Sequence, residues 1–88
     1  MITQKVIVKN KDGLHARPAT LFVKVASKYK SEVTLSKNGR EVNGKSIMGV
    51  MMLAAAKGSE LILKVDGPDE EQAVQSLMEL FERKFDEE

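Results

Sequence analysis

The chain has no cysteine and no tryptophan, one tyrosine, three phenylalanines and a single histidine. Without cysteine there is neither a disulfide framework nor a thiolate metal site. One histidine with no second nitrogen or sulfur ligand makes a poor zinc centre, so neither a metal nor an organic cofactor is expected. Aromatics are scarce and no basic cluster is interleaved with them, which argues against direct nucleic-acid binding. Long apolar runs are also missing. The opening stretch MITQKVIVKN has the composition of neither a membrane span nor a secretory leader, so no membrane insertion and a cytoplasmic location are expected.

A length of 88 residues predicts one domain, 1–88. A chain this short buries only about two-thirds of its unfolded surface. It builds one small core and no deep cleft, so its chemistry belongs on the surface. The net charge of +1 hides a split. Residues 1–57 hold eleven of the fourteen cations against three acids, and residues 58–88 hold ten acids against three cations. Two explanations stand side by side. The basic part meets an acidic or phosphate-bearing partner, or the two parts fold together and neutralise each other.

Along the chain, Ile2, Val6 and Val8 share one face of an alternating stretch and predict a strand. After the turn NKDG, Ala19, Phe22, Val23 and Ala26 recur at helical spacing. EVTLSK and REVN flank Asn38-Gly39, a hairpin signal because both turn residues tolerate positive φ. Ser46 precedes a short apolar helix, and ELILKVD is a fourth strand with Leu61, Leu63 and Val65 on one face. Gly67 and Pro68 close it. Asp69, with Gln72 three residues on, has the form of a capping box. Ala73, Leu77, Phe81 and Phe85 then form one helical stripe. The order βαββαβα, with a hairpin inside two crossovers, predicts an α+β fold. Its sheet is mostly antiparallel with helices on one face. Lys5, Lys9 and Lys64 suit the open face by alternation.

The lone histidine stands in GLHARPAT, residues 13–20. If the helix begins near Ala16, His15 is its N-cap. The first-turn amides have no intrahelical acceptors, and the helix end is positive. Pro18 costs little there, where its missing N–H would be orphaned anyway. Unpaired amides and the Arg17 guanidinium make a site for an anion such as phosphate. An imidazole beside it is a nucleophile that is largely neutral near pH 7. A plain turn histidine and a solvated arginine are the alternative. The second short helix poses its own question. At about 100° per residue, Val50 and Leu53 share one side while Ile47, Met48, Met51 and Met52 gather on the other. A helix lying on a sheet buries one side, so an exposed methionine-led patch is expected, a surface suited to partners. Ser46 is placed to cap this helix.

GLHARPAT resembles the phosphorylation-site motif of the HPr family, the histidine-containing phosphocarriers of the sugar phosphotransferase system. VNGKSIMGVMML resembles that family's second signature, around a regulatory serine, in the form typical of Gram-positive bacteria. The likeness covers essentially the whole chain. It implies an open-faced β-sandwich of four antiparallel strands with three helices on one face. It implies a phosphocarrier, not an enzyme with turnover, relaying a phosphoryl group from enzyme I, which takes it from phosphoenolpyruvate, to enzyme IIA domains. His15 matches the phosphorylated histidine, modified on Nδ1 in the family, and Arg17 the arginine that assists. Ser46 matches the serine modified by HPr kinase/phosphorylase, and the phosphoserine form acts on a catabolite-control transcription regulator. The docking surface would combine Thr20, Lys24 and Ser27 of the first long helix with Ile47, Met48, Met51 and Met52. The family norm is a monomer. The alternative is a purely regulatory module of the same fold, acting through phosphorylated Ser46; such modules lack the active histidine, which is present here. Gly44, Met52 and Ala54 depart from the family pattern, where leucine, a small polar residue and glycine are common. They bear on partner preference and not on His15.

Overall fold

The computed structural model of the chain describes residues 1–87. Strand β1 (Ile2–Ile7) leads to helix α1 (Ala16–Ala26), then to the hairpin β2 (Glu32–Lys37) and β3 (Arg40–Asn43). Helix α2 (Ile47–Met52), strand β4 (Glu60–Asp66) and helix α3 (Glu70–Glu82) follow, with a final 3₁₀ turn at Lys84–Asp86. The sheet order is β1-β4-β2-β3 and every neighbouring pair is antiparallel. This is the expected open-faced sandwich.

Alternation decides which face is covered. Val6 lies opposite Leu61, and Val33 and Leu35 lie opposite Val65 and Leu63, so these side chains share the inner face. Leu61, Leu63 and Val65 are fully buried on the central strand β4. Each such side chain stabilises the fold by about 1.5–3 kcal/mol. Ala19, Phe22 and Ala26 of α1 and Ala73, Leu77, Leu80 and Phe81 of α3 close the core from above. Phe22 meets Phe81 edge to face with ring centres 6.0 Å apart. Val23, expected in the core, is only half-buried at its margin. Asn38 (φ 52°) and Gly39 (φ 85°) make the β2–β3 turn in the left-handed region, as the hairpin signal requires.

Three local expectations give way to tertiary contacts. The capping box at Asp69 does not form, and its side chain makes no cap bond. Its carboxylate instead accepts from the amides of Lys30 (2.9 Å) and Ser31 (3.0 Å) and from the Ser31 hydroxyl (2.6 Å). Glu70 reaches back to the Gly67 amide in its place. The α3 stripe also stops short of Phe85. The helix ends at Glu82, and Lys84, Phe85 and Asp86 all adopt positive φ. Phe85 still packs on Phe81, 4.9 Å away. Finally, Lys9 does not stay on the open face: it lies past β1, the edge strand, and pairs with Glu82 of α3 at 2.8 Å. Lys5 and Lys64 pair with Glu60 and Glu41.

Asp69 links folding to pH. The Ser31 hydroxyl and then the Lys30 amide hold its carboxyl below the usual range. A carboxylate favoured in the folded state adds stability above its unfolded pKa and loses it as pH falls through the folded one. The midpoint of thermal unfolding should therefore drop below about pH 4. Asp69→Asn, which cannot ionise, should show a shallower acid slope. Melting curves of the two proteins from pH 7 to pH 2.5, roughly the window where Asp titrates, check this; parallel slopes would contradict it.

Candidate functional site

The loop before α1 is sewn to the segment before β4. Val8 donates to the Ser59 carbonyl (2.9 Å), Gly58 to Val8 (2.7 Å) and Leu14 to Ala55 (2.9 Å). Gly13 sits at φ +70°, and a Cβ there would collide with the Ala55 carbonyl. Leu14 is buried. Between these anchors the backbone has little freedom, and it delivers His15 to the start of α1.

His15 is the N-cap of α1, with extended backbone, and its carbonyl accepts the first helical bond from Ala19 at 3.0 Å. Its imidazole makes no cap bond. The ring therefore projects from the helix end, 41% exposed. The amides of Ala16 and Arg17 lie in the first turn, where no intrahelical acceptor exists, and Pro18 has no N–H to satisfy. Arg17 is exposed and makes no ion pair among the described residues. The imidazole and the first-turn amides thus share one exposed helix end, and Arg17 is the second residue of that helix. Such an end stabilises an anion and the charge that develops on a moving phosphoryl group.

The partner of His15, and the side chain that braces that partner, had no signal in the sequence. The His15 Nε2 lies 3.4 Å and 3.3 Å from the two carboxylate oxygens of Glu87. Glu87 Oε1 also accepts from Asn10 Nδ2 at 3.1 Å, and that amide donates to the Gly13 carbonyl at 2.7 Å. Asn10 is fully buried. Glu87 reads as one more acid in a terminal run, and nothing local marks it for a residue 72 positions away.

A shallow hollow of about 290 Å³, lined by Leu14, His15, Met51 and Ala54 among others, joins the imidazole to α2. In α2, Ser46 is the N-cap and its hydroxyl accepts from the Gly49 amide at 3.0 Å, as expected. Val50 and Leu53 are buried, while Ile47, Met48 (74% exposed), Met51 and Met52 face solvent. Thr20 and Lys24 are exposed on α1 and Ser27 at its C-cap, and α1 packs against α2. The Thr20 hydroxyl is turned back to the Ala16 carbonyl at 2.7 Å. The exposed apolar side chains of α2 thus belong to a helix packed against α1, which carries the exposed Arg17 and Lys24.

Two departures gain a physical account. A Cβ at Gly44 would lie 2.5 Å from Val33 Cγ1, so glycine lets the β3–α2 turn close onto the sheet. A leucine there would displace Val33. Ala54 occupies φ 50°, where an L-residue is strained by about 1–2 kcal/mol. Met52 is exposed at the patch margin, and nothing in the structure explains its identity.

A family model described as "PTS HPr component phosphorylation site" matches residues 2–83. Among curated proteins, the phosphocarrier protein HPr of Xylella fastidiosa (strain 9a5c) is 53% identical over 87 residues, covering 99% of this chain and 98% of its own. The HPr-like protein Crh of Bacillus subtilis is 51% identical over 77 residues, covering 88% of this chain and 91% of its own. Among solved structures, HPr-C-His from Thermoanaerobacter tengcongensis superposes with a TM-score of 0.96 at 48% identity, covering 100% of this chain and 99% of that one.

Proposed function

Because the chain belongs to the HPr family of phosphocarriers, we propose that His15 carries its phosphoryl group and that Arg17 assists the transfer. The chain is a phosphocarrier of the sugar phosphotransferase system, and its partners are components of that system such as enzyme I and enzyme IIA. The observation that carries the assignment is the half-exposed imidazole, the only one in the chain, at the open end of α1. A phosphoryl group in transfer spreads negative charge over three equatorial oxygens, and positioned donors stabilise it. The first-turn amides and Arg17 are such donors.

The protein works as one domain, 1–88, in the cytoplasm, as a monomer. Among the described residues no helix is long and apolar enough to cross a membrane. Ser46 is the regulatory site, modified by HPr kinase/phosphorylase and read by a catabolite-control transcription regulator. Likeness to Crh brings the purely regulatory reading forward. The presence of His15 and Arg17 favours the carrier. Thr20, Lys24, Ser27, Ile47, Met48, Met51 and Met52 form the docking surface, with basic residues facing acidic rims on both partners.

Incubation with enzyme I, phosphoenolpyruvate and magnesium should add one acid-labile phosphate, mapped to His15 by mass spectrometry. Modification at any other residue would overturn the assignment. Arg17→Lys keeps the charge but loses the bidentate fork. Uptake should slow by about tenfold with unchanged unfolding, a fraction of what removing one oriented donor costs. Stopped-flow rates matching the parent would remove Arg17 from the mechanism.

A further inference from the structure

We propose that Glu87 is a positioning residue for phosphoryl transfer: its carboxylate holds the Nε2–H of His15 and so leaves the Nδ1 lone pair open to attack phosphorus. The proposal rests on the assignment of His15 as the carrier.

The Nε2 nitrogen is hydrogen-bonded to Glu87 Oε1 at 3.4 Å, and Oε2 of the same carboxylate lies within ion-pair distance at 3.3 Å. An ionised carboxylate only accepts. The ring nitrogen facing it must therefore carry the proton, and the other nitrogen keeps its lone pair. Nδ1 has no hydrogen-bond partner among the described residues.

Glu87 is not a loose tail residue. Its side chain is 20% exposed. Two residues earlier, Phe85 is buried against Phe81. The left-handed run Lys84, Phe85, Asp86 turns the chain back, and the Glu87 amide donates to the Lys84 carbonyl at 2.9 Å. The carboxylate is then braced by Asn10, which is itself bonded to the Gly13 carbonyl. One buried side chain thus ties Glu87 to the loop that carries His15. The left-handed turn, costly at about 1–2 kcal/mol per residue, has a function in this reading, because it delivers the carboxylate to the ring.

In the transfer step the Nδ1 lone pair forms the N–P bond. The bond from phosphorus to the donor's leaving atom breaks, and its electron pair stays with the donor. The Nε2 proton stays in place throughout. Positive charge that develops on the ring faces the Glu87 carboxylate, as a buried carboxylate supports an imidazolium in hydrolytic triads. Onward transfer reverses these bond changes and returns the pair to Nδ1.

The test uses the full chain labelled with ¹⁵N in histidine. Long-range proton–nitrogen correlation at a pH where the ring is neutral should show a protonated Nε2 and an unprotonated Nδ1 in the parent. In Glu87→Ala both signals should move towards each other as the second tautomer gains population. Initial uptake from phosphorylated enzyme I should fall about two- to fivefold, the range expected for a partly exposed ion pair. Glu87→Gln, which keeps an acceptor oxygen, should restore most of the tautomer preference. Identical nitrogen shifts in the parent and Glu87→Ala would overturn the proposal. So would uptake that is unchanged or faster, the latter meaning that the carboxylate competes with phosphate. Phosphate mapped away from His15 would sink the carrier assignment instead, and the nitrogen shifts would still report the tautomer.

Discussion

His15→Ala should abolish phosphoryl uptake from enzyme I and leave the fold in place. The imidazole is the only one in the chain, so no second ring takes over. The side chain lies outside the core, 41% exposed, and makes no cap bond. Its backbone carbonyl, which accepts from Ala19, is unaffected by the substitution. Substitutions at such positions change stability by about 0.5 kcal/mol or less. Mass spectrometry after incubation with enzyme I and phosphoenolpyruvate should find no added phosphate, while the melting temperature stays near that of the parent. Full uptake by the variant would end the carrier role proposed for His15. A collapsed melting transition would mean that the loop from Asn10 to His15 depends on the ring for its shape.

Phosphorylation of Ser46 should slow uptake at His15 by about a hundredfold, since like charges set against each other at an interface cost several kcal/mol. Ser46 caps α2, and its hydroxyl accepts from Gly49. A phosphate adds a charge of about −1.5 to −2, and negative charge at a helix N-terminus stabilises the helix. The change is therefore electrostatic, at the edge of the patch of Ile47, Met48, Met51 and Met52. An acidic enzyme I is repelled. A regulator that presents arginine there gains charge-assisted hydrogen bonds. Ser46→Asp adds one charge and fewer acceptor oxygens, so its effect should be about tenfold, half of the phosphate's on a free-energy scale. Ser46→Ala should lose about 0.5–2 kcal/mol of stability through the missing cap and keep its uptake rate. Initial rates with enzyme I for the parent, the Asp variant and the kinase-treated protein decide the matter. Equal rates in all three leave Ser46 a helix cap and nothing more.

Much of the site was legible because it is local. Gly13, His15, Arg17 and Pro18 lie within one turn of chain, and what each does at a helix start follows from backbone geometry. Ser46 and its apolar helix are the same kind of signal, and the two-sided distribution of Val50 and Leu53 against the methionines survives folding unchanged. The charge split was legible only as a choice between two explanations, and the fold divides it. Lys5 and Lys9 pair with Glu60 and Glu82 of the acidic part, while Arg17 and Lys24 stay exposed on α1. Glu88, one of the acids in that count, lies outside the described residues.

By itself the sequence determined the strands, the helices, the open sheet face, the imidazole at the start of α1 and the capped helix beside it. All of these depend on period-two and period-3.6 burial and on hydrogen bonds within a few residues. Tertiary structure alone decided where competing partners went. Asp69 had a local use as a cap, yet two amides and a hydroxyl from Lys30 and Ser31 took its carboxylate once the segment before β2 met the start of α3. Phe85 had a place on a helical stripe, yet it reached the core through a left-handed turn beyond the helix end. Glu87 met His15 only because that turn, anchored by the buried ring of Phe85, brings Glu87 back to the first loop. Contacts between segments so far apart depend on how the sheet and helices close on one another, and no spacing along the chain encodes that geometry.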